Sequence, residues 1–286
     1  MTTSAAMNPA IRPSAIQSRL TSASGSTAWE CPAWPSTPGL LQGKLPVMLD
    51  PGIPRPAQGR TFSARRRVRL SDMDAYGRLR LDAVARFLQD IAIDDVQETG
   101  WGMPEHLWFV RRIRIDVLRP FLDDREVELT TWCSGVAAIA AGRRWSVSGD
   151  AGGELEVDSV WIHLDAAAHP ARIEDFGVYA EATQGRHVST KLELPDPSAD
   201  VPRSPWALRA TDVDLHGHVN NAVYWQAVEE LFGDVLGGPV KVELDYRRPI
   251  DLGEEIELAR FGDTVAFFAG DSVRAVARVS SGTTSG

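Results

Sequence analysis

Two stretches of the chain repeat apolar residues at the spacing of a helix that packs on one face. The first runs from residue 81 to 99 and the second from residue 222 to about 235. Apolar residues recur every three or four positions in both, which predicts two amphipathic helices. Their apolar positions are Val84, Leu88, Ile91 and Val96 in the first, and Val223, Ala227, Leu231 and Val235 in the second.

Other stretches alternate apolar and polar residues, the pattern of a strand with one buried face. Residues 127–132, 143–147, 157–164 and 256–261 have this pattern. The chain therefore predicts several antiparallel strands after each helix.

The elements occur twice, in the same order. Residues 71–79 match residues 211–219 without a gap, and both aspartates and the glycine are kept. Residues 110–120 have a counterpart in residues 240–249, and both segments end in Arg-Pro before a polar turn and a strand. An internal duplication explains this pattern.

Each copy consists of a lead-in strand, one long helix and several alternating strands. A helix wrapped by a curved antiparallel sheet is the hotdog architecture, so the expected fold is α+β, a tandem (double) hotdog with two units side by side. We place the first unit at residues 61–198, the second unit at 199–280 and a flexible C-terminus at 281–286. A core is feasible, since 43% of the 286 residues are hydrophobic.

Residues 1–60 have a different composition. They hold nine of the 18 prolines and no acidic residue before Glu30. This composition predicts a disordered tail. An organelle transit peptide is the alternative, although no amphipathic Arg-rich helix follows.

Charge and composition limit the function. Residues 61–286 hold 37 acidic and 25 basic residues, which argues against nucleic acid as a partner. Two basic clusters, at 65–69 and 111–114, could dock an acidic protein or could be ordinary solvated strand faces. No apolar run is long enough for a membrane span, so a cytoplasmic protein is expected. Two cysteines give neither a disulfide framework nor a metal site, and no cofactor is implied.

The densest polar chemistry lies just before the second helix. Residues 211–221 contain two aspartates, two histidines and two asparagines around Gly217. At the start of a helix, free N–H groups and the positive end of the dipole can hold a carbonyl oxygen that gains negative charge. Gly217 would let the backbone turn tightly and approach a substrate.

This segment resembles the active-site segment of fatty acyl-acyl carrier protein thioesterases, which in plant members runs Asp-x-Asn-x-His-Val-Asn-Asn. The matching residues here are Asp214 to Asn221, with Tyr224, Trp225 and Glu230 at the expected spacing. Residues 244–248 resemble the Leu-Glu-Tyr-Arg-Arg of the same family. The resemblance covers roughly residues 65–280 and is nearest to shorter bacterial members.

Three positions depart from the plant pattern. His216 replaces an Asn, Pro249 replaces a Glu assigned to catalysis, and Ile250 replaces a Cys once proposed as the nucleophile. A thiol nucleophile is therefore excluded at that position, and chemistry centred on a carboxylate remains.

Asp214 is our candidate for that carboxylate, as a base for water or as a direct nucleophile. A turn carboxylate bonded to nearby N–H groups is the alternative. His218 would orient Asp214 or water, or polarise the thioester carbonyl. Asn220 would fix this geometry or cap the helix, and His216 would be a donor or a solvent-facing residue.

Further residues complete the predicted site. Glu230 could replace the acid missing at position 249, or could be a surface glutamate. The expected substrate-binding residues are Gly217, Val219, Asn221, Tyr224 and Glu230.

The first copy lacks the set, since Arg78 stands at the His218 position and Arg80-Leu81 replace the Asn pair. Asp72, Asp74 and Gly77 are therefore expected to be structural. The first unit would shape an acyl pocket, lined by the helix at 81–99 through Val84, Phe87, Leu88 and Ile91.

The resemblance implies hydrolysis of fatty acyl-acyl carrier protein thioesters, with backbone N–H donors near residues 217–219. Acyl-CoA is the alternative substrate, and the negative charge of the body weakly favours it. A non-catalytic module that binds acyl thioesters is an alternative from another class, and a hotdog hydratase is a weaker one. The sequence leaves open whether the chain forms a homodimer.

Overall fold

The alternating stretches form one large sheet in the computed structural model, which describes residues 47–48, 52–101, 107–198 and 200–283. The strands are β1 (Val47–Met48), β2 (Thr61–Arg67), β3 (Leu107–Arg119), β4 (Glu126–Ala137), β5 (Ala140–Gly149), β6 (Glu154–Leu164), β7 (Ser204–Trp206), β8 (Val240–Tyr246), β9 (Ile256–Phe261), β10 (Thr264–Ala269) and β11 (Ser272–Thr283). The helices are α1 (Leu81–Thr99) and α2 (Val223–Phe232).

The strand order shows how the two copies join. It runs β2-β4-β5-β6-β3-β8-β11-β10-β9-β7, and β1 pairs in parallel with the end of β11. The neighbours β3 and β8 come from different units and are antiparallel, with Arg112 opposite Asp245 and Val117 opposite Val240. One continuous sheet therefore carries both helices, and the predicted tandem hotdog is confirmed.

The two helices pack on the inner face of this sheet. The prediction for α1 is confirmed, with Val84, Leu88 and Ile91 buried in the shared core. Helix α2 ends at Phe232, so Val235 lies past the helix in a turn that packs on the same core. Burial of these apolar faces is the main favourable contribution to folding.

Polar side chains link the two helices at the core's edge. The Glu229 carboxylate of α2 accepts a hydrogen bond of 2.6 Å from the Leu81 N–H, at the start of α1. Gln226 donates to Asp82 at 3.3 Å. Burial raises the pKa of the Glu229 carboxyl. Each unit therefore supplies polar contacts to the helix of the other.

The folded body extends beyond the predicted boundaries at both ends. Arg60 forms an ion pair of 2.7 Å with Asp95, and a Cβ on Gly59 would lie 2.3 Å from the Ala182 nitrogen. Residues 52–60 therefore lie against the first unit, whereas the sequence assigns them to the tail. Residues 281–283 belong to β11. Residues 1–46 and 284–286 lie outside the described residues.

The basic clusters of the sequence are largely paired with carboxylates. Arg65 contacts Glu126 and Glu128, Arg66 contacts Asp94, Arg112 contacts Glu193 and Arg114 contacts Asp116. This pairing fits the interpretation as strand-face residues. Within the described ranges, no helix is both long and apolar enough to cross a membrane.

Candidate active site

The polar segment before α2 forms a tight turn, and its copy before α1 has the same backbone. We call residues 209–220 the second turn and residues 69–80 the first turn. In the second turn the Asp214 N–H donates to the His218 carbonyl at 2.8 Å and the Gly217 N–H donates to the Asp214 carbonyl at 3.1 Å. The corresponding bonds of the first turn, from Asp74 and Gly77, measure 2.8 and 3.1 Å.

The glycine of each turn has a left-handed backbone, with φ of 76° at Gly77 and 82° at Gly217. A side chain at either position would strain the turn. The predicted reason for Gly217, a tight turn, is therefore met in the structure, although Gly217 does not itself line the cavity described below.

Asp214 is held at the centre of the second turn. Its Oδ1 accepts a hydrogen bond of 2.9 Å from the His216 N–H. This bond fixes the carboxylate and leaves Oδ2 without a protein partner among the described residues. The alternative interpretation of the sequence, a turn carboxylate bonded to nearby N–H groups, also fits this bond.

His218 is oriented by a residue that the sequence analysis did not select. Its Nδ1 lies 2.7 Å from Oδ1 of Asp251, and both side chains are partly exposed. When Nδ1 carries the proton and donates to Asp251, Nε2 is an acceptor. His218 is therefore positioned by Asp251, and no hydrogen bond joins its ring to Asp214 among the described contacts.

The two asparagines have separate positions. Asn220 Oδ1 accepts from the Ala222 N–H at 2.9 Å, so its side chain supports the turn just before α2, whereas the N-cap of that helix is Ala222. The Asn221 carbonyl accepts from the buried Tyr246 hydroxyl at 2.9 Å, and that hydroxyl accepts from Trp225 Nε1 at 3.1 Å. Burial raises the pKa of Tyr246 well above its ordinary value, so its proton stays available for the Asn221 carbonyl.

The backbone donors expected near residues 217–219 are mostly engaged. The Gly217 N–H donates within the turn, and the Val219 N–H donates to the Ile250 carbonyl at 2.8 Å. An oxyanion site would therefore have to draw on side chains of the same region. Asn221 lines the cavity, and its side-chain amide has no partner among the described contacts.

A cavity of about 860 Å³ opens beside the second turn and extends into the first unit. Six of the nine predicted site residues line it, namely Asp214, His216, His218, Val219, Asn221 and Tyr224. Asn220 and Gly217 support the turn from outside the cavity. Glu230 is exposed on α2 and away from the lining, so the structure places it as a surface glutamate.

The first unit contributes most of the cavity wall, but with a different helix face from the one expected. Val84, Leu88 and Ile91 are in the core, and Phe87 packs against that core. The stripe of α1 that lines the cavity is Gln89, Ala92, Ile93 and Val96. The i, i+3, i+4 spacing is shared by both stripes, so periodicity could not distinguish core from cavity.

Asp251 has a sequence signal that was missed. It follows Pro249 and Ile250 just as Leu122 follows Pro120 and Phe121 in the first copy. The bridges match too, because His218 pairs with Asp251 and Arg78 pairs with Leu122. The second copy thus has the polar Asp251 where the first copy has the apolar Leu122. This exchange at a duplicated position indicates a partner for His218.

Chemically, the site combines a fixed carboxylate, an imidazole with its own carboxylate partner and an amide, all beside a long and mostly apolar cavity. This set can move a proton and stabilise an oxyanion next to an alkyl chain. Among the described residues, no group of three His, Cys, Asp or Glu side chains is arranged to hold a metal ion.

Comparison with known families agrees with the duplicated plan. Residues 59–176 match the model of the acyl-ACP thioesterase N-terminal domain, and residues 197–271 match that of the C-terminal domain. The two matched segments correspond to the first and second units.

Individual proteins are similar over most of the chain. An uncharacterized protein of Mycobacterium tuberculosis is 30% identical over 234 residues, covering 79% of this chain and 94% of that protein. The chloroplastic palmitoyl-acyl carrier protein thioesterase of Arabidopsis thaliana is 25% identical, covering 71% of this chain and 56% of that protein. The crystal structure of an acyl-ACP thioesterase from Bacteroides thetaiotaomicron superposes with a TM-score of 0.64 at 18% identity, covering 77% and 97% of the two chains, which supports the shared fold.

Proposed function

The chain belongs to the acyl-ACP thioesterase family, whose characterised relatives are thioester hydrolases, and from this premise we propose that it hydrolyses fatty acyl-acyl carrier protein to free fatty acid. The observation that carries the proposal is the position of Asp214 and His218 at one cavity, beside a long apolar wall from the first unit.

Asp214 supplies the oxygen that attacks, directly or through water. As a base, it takes a proton from water while the water oxygen bonds to the acyl carbon; the C–S bond then breaks and the departing thiolate takes a proton. As a nucleophile, it forms a mixed anhydride that water hydrolyses. Trapping with hydroxylamine separates the two routes, because only the anhydride yields a hydroxamate on the protein.

His218 and Asn221 serve the developing charges. Asp251 holds His218 at Nδ1, so Nε2 can face the leaving sulfur or the attacking water. Asn221 lines the cavity next to the turn, and its amide N–H would donate to the oxyanion. Preorganised donors of this kind typically contribute about 10²–10³-fold in rate.

Arginines at the cavity could bind the phosphopantetheine arm to which the acyl group is attached. Arg111, Arg247 and Arg248 line the cavity where it meets the end of β8. Arg111 donates only to the Tyr246 carbonyl, at 3.3 Å, among the described contacts. Burial lowers the pKa of Arg247, and the nearby charge of Arg111 lowers it further. Arg247 already pairs with Asp196, so Arg111 and Arg248 are the guanidinium groups that remain, among the described contacts, to bind an anion such as the phosphate of a phosphopantetheine arm.

Acyl carrier protein and CoA share that phosphate, so the carrier has to be decided by measurement. The test is thiol release by the full chain from palmitoyl-carrier protein and from palmitoyl-CoA, with Asp214→Asn as the comparison. Faster release from the carrier protein that collapses in Asp214→Asn supports the proposal. Faster thiol release from palmitoyl-CoA would identify CoA as the carrier of the acyl group. Binding of both thioesters without turnover would instead establish a non-catalytic module.

A further inference from the structure

The cavity wall within the first unit is mostly apolar beyond Arg111 of β3. Its lining there comes from α1 and from β3 to β6 and includes Ile93, Val96, Phe109, Trp161 and Ile162. Among the described residues of β4, β5 and β6 that line the cavity, Arg143 on β5 is the one with a charged side chain. A guanidinium in the wall of an apolar pocket needs an explanation, since burying a charge is costly.

Strand order places Arg143 three strands away from β8. Arg143 lies opposite Cys133 of β4 and Ser159 of β6, on the face of the sheet that carries the helices. From β5 to β8, where Tyr246 borders the predicted reaction site, the order is β5-β6-β3-β8. Three strand spacings correspond to roughly 14 Å. Arg143 therefore lies in the part of the cavity that the first unit forms, three strands away from β8.

A polar network holds Arg143 in this position. Its Nη1 lies 2.8 Å from Asp95 Oδ2 and 3.4 Å from Thr131 Oγ1. Asp95 is almost fully buried, with 1% of its side chain exposed, and it also binds Arg60 at 2.7 Å. The guanidinium carbon lies 5.5 Å from the centre of the Tyr179 ring. Two independent contacts and an aromatic face therefore prevent Arg143 from swinging away.

We infer that Arg143, fixed by Asp95, forms the polar end of the acyl pocket and limits the length of the acyl chain. This inference rests on the proposed function. Each further methylene that entered an apolar pocket would gain about 0.8 kcal/mol. An alkyl terminus that reached Arg143 would instead strip water from the N–H groups of the guanidinium and offer no acceptor in return.

Arg143→Met tests this inference, because it removes the charge and keeps an unbranched side chain. The measurement is kcat/KM for a series of saturated acyl thioesters of increasing length. The expected result is a shift of preference toward longer chains, by roughly tenfold for two added carbons, since each buried methylene corresponds to about a fourfold change. A ratio between substrates does not respond to a general loss of folded protein.

Arg60→Met is the matched control. Arg60 binds the same Asp95 but does not line the cavity, so its loss should lower stability and leave the length preference unchanged. An unchanged preference in Arg143→Met, or the same shift in Arg60→Met, would overturn the inference. If Arg143→Met does not fold, Arg143→Gln should shift the preference in the same direction by a smaller factor.

A binding measurement distinguishes a failure of this inference from a failure of the proposed function. The affinities of free fatty acids of the same lengths are measured by calorimetry on the wild type and both variants. If no thioester is hydrolysed, the proposed function fails, and a longer optimum for fatty acid binding in Arg143→Met still supports the polar end of the pocket. An identical length profile in all three proteins overturns it.

Discussion

The first and second turns have the same backbone conformation. The aspartate at the corresponding position has different side-chain neighbours in each turn. In the first turn, Arg78 closes on Asp74 at 2.8 Å and reaches Glu229 at 3.0 Å, and the whole group is largely buried. In the second turn, His218 points to Asp251 instead, and Asp214 borders the cavity. The turn alone is therefore a structural unit, and the neighbouring side chains determine whether its carboxylate can meet a ligand.

Two substitutions account for this difference. Position 78 is Arg where position 218 is His, and position 122 is Leu where position 251 is Asp. The hydrogen bonds of the backbone stay the same in kind, as the bonds from Leu79 to Phe121 and from Val219 to Ile250 illustrate. Exchanging these positions between the turns should exchange their properties.

The largest effect is expected from removing one aspartate at a time. Asp214→Asn should lower thioester hydrolysis by about 10³-fold, because general base or nucleophilic assistance is lost. Asp74→Asn is the matched control and should leave turnover nearly unchanged while it lowers stability, since Arg78 loses a buried partner. Kinetics and urea denaturation of both variants check this, and a catalytic loss in Asp74→Asn would contradict the division of roles.

His218→Arg copies the first turn into the second. The new guanidinium should close on Asp214 as Arg78 closes on Asp74, and turnover should fall by about 10²–10³-fold. The melting temperature should stay near that of the wild type, because the same pair is stable in the first turn. Retained activity in a folded variant would show that Asp214 is not needed as a free carboxylate.

Asp251→Asn removes the negative charge that orients His218, while the side chain keeps the same size and shape. A decrease of about 10- to 100-fold in kcat is expected, with little change in KM, because the tautomer of His218 is no longer fixed. Glu255→Gln, an exposed change four residues away, is the control. A pH profile of kcat that is identical in Asp251→Asn and wild type would argue against a positioning role.

Asp82 has no acidic counterpart in the second unit, where Ala222 occupies the equivalent position. Burial alone would raise the pKa of Asp82, but hydrogen bonds from Arg80 and Arg86 outweigh it and hold the pKa below its ordinary value. Asp82→Ala should therefore lower the free energy of unfolding by about 1–3 kcal/mol at neutral pH.

The sign of the pH dependence at Asp82 follows from linkage. The stabilisation is present above the ordinary carboxyl pKa and is lost as the pH falls through the lowered folded value. Urea denaturation at neutral and acid pH should show the difference between wild type and Asp82→Ala shrinking in acid. A constant difference would mean that the ionised carboxylate contributes nothing.

The smallest effect is expected at Asn220, whose side chain accepts from the Ala222 N–H just before α2, where the first turn has Arg80. Asn220→Ala should cost about 1 kcal/mol of stability. Activity per folded molecule should change less than in Asp214→Asn. A loss of turnover as large as that of Asp214→Asn would mean that Asn220 takes part in the reaction and does not only support the turn.

Much of the fold could be predicted because it is repeated and periodic. The duplication identified both units, and the apolar spacing fixed α1 at both ends. The site was predictable where its residues are neighbours in sequence, as Asp214 and His218 are. Asp251 lies beyond a strand, and Arg143 reaches the cavity only through strand pairing, so neither follows from local pattern.

Hydrogen-bond partners were the other feature that could not be predicted from the sequence. The Gly217 and Val219 N–H groups looked available from their position before a helix, but the turn and the Ile250 carbonyl engage them. Periodicity also could not separate the two faces of α1. Both errors have one cause, because they depend on which residues far along the chain complete the local structure.

The pairing of β3 with β8 has a consequence for the history of the molecule. In a symmetric dimer of identical hotdogs, any mutation would alter both turns at once. Here the corresponding seam lies within a single gene product, so one turn could acquire Arg78 and Leu122 while the other kept its histidine and acid. Covalent fusion lets the two halves differ, and the cross-contacts of Glu229 and Gln226 join these two different halves to each other.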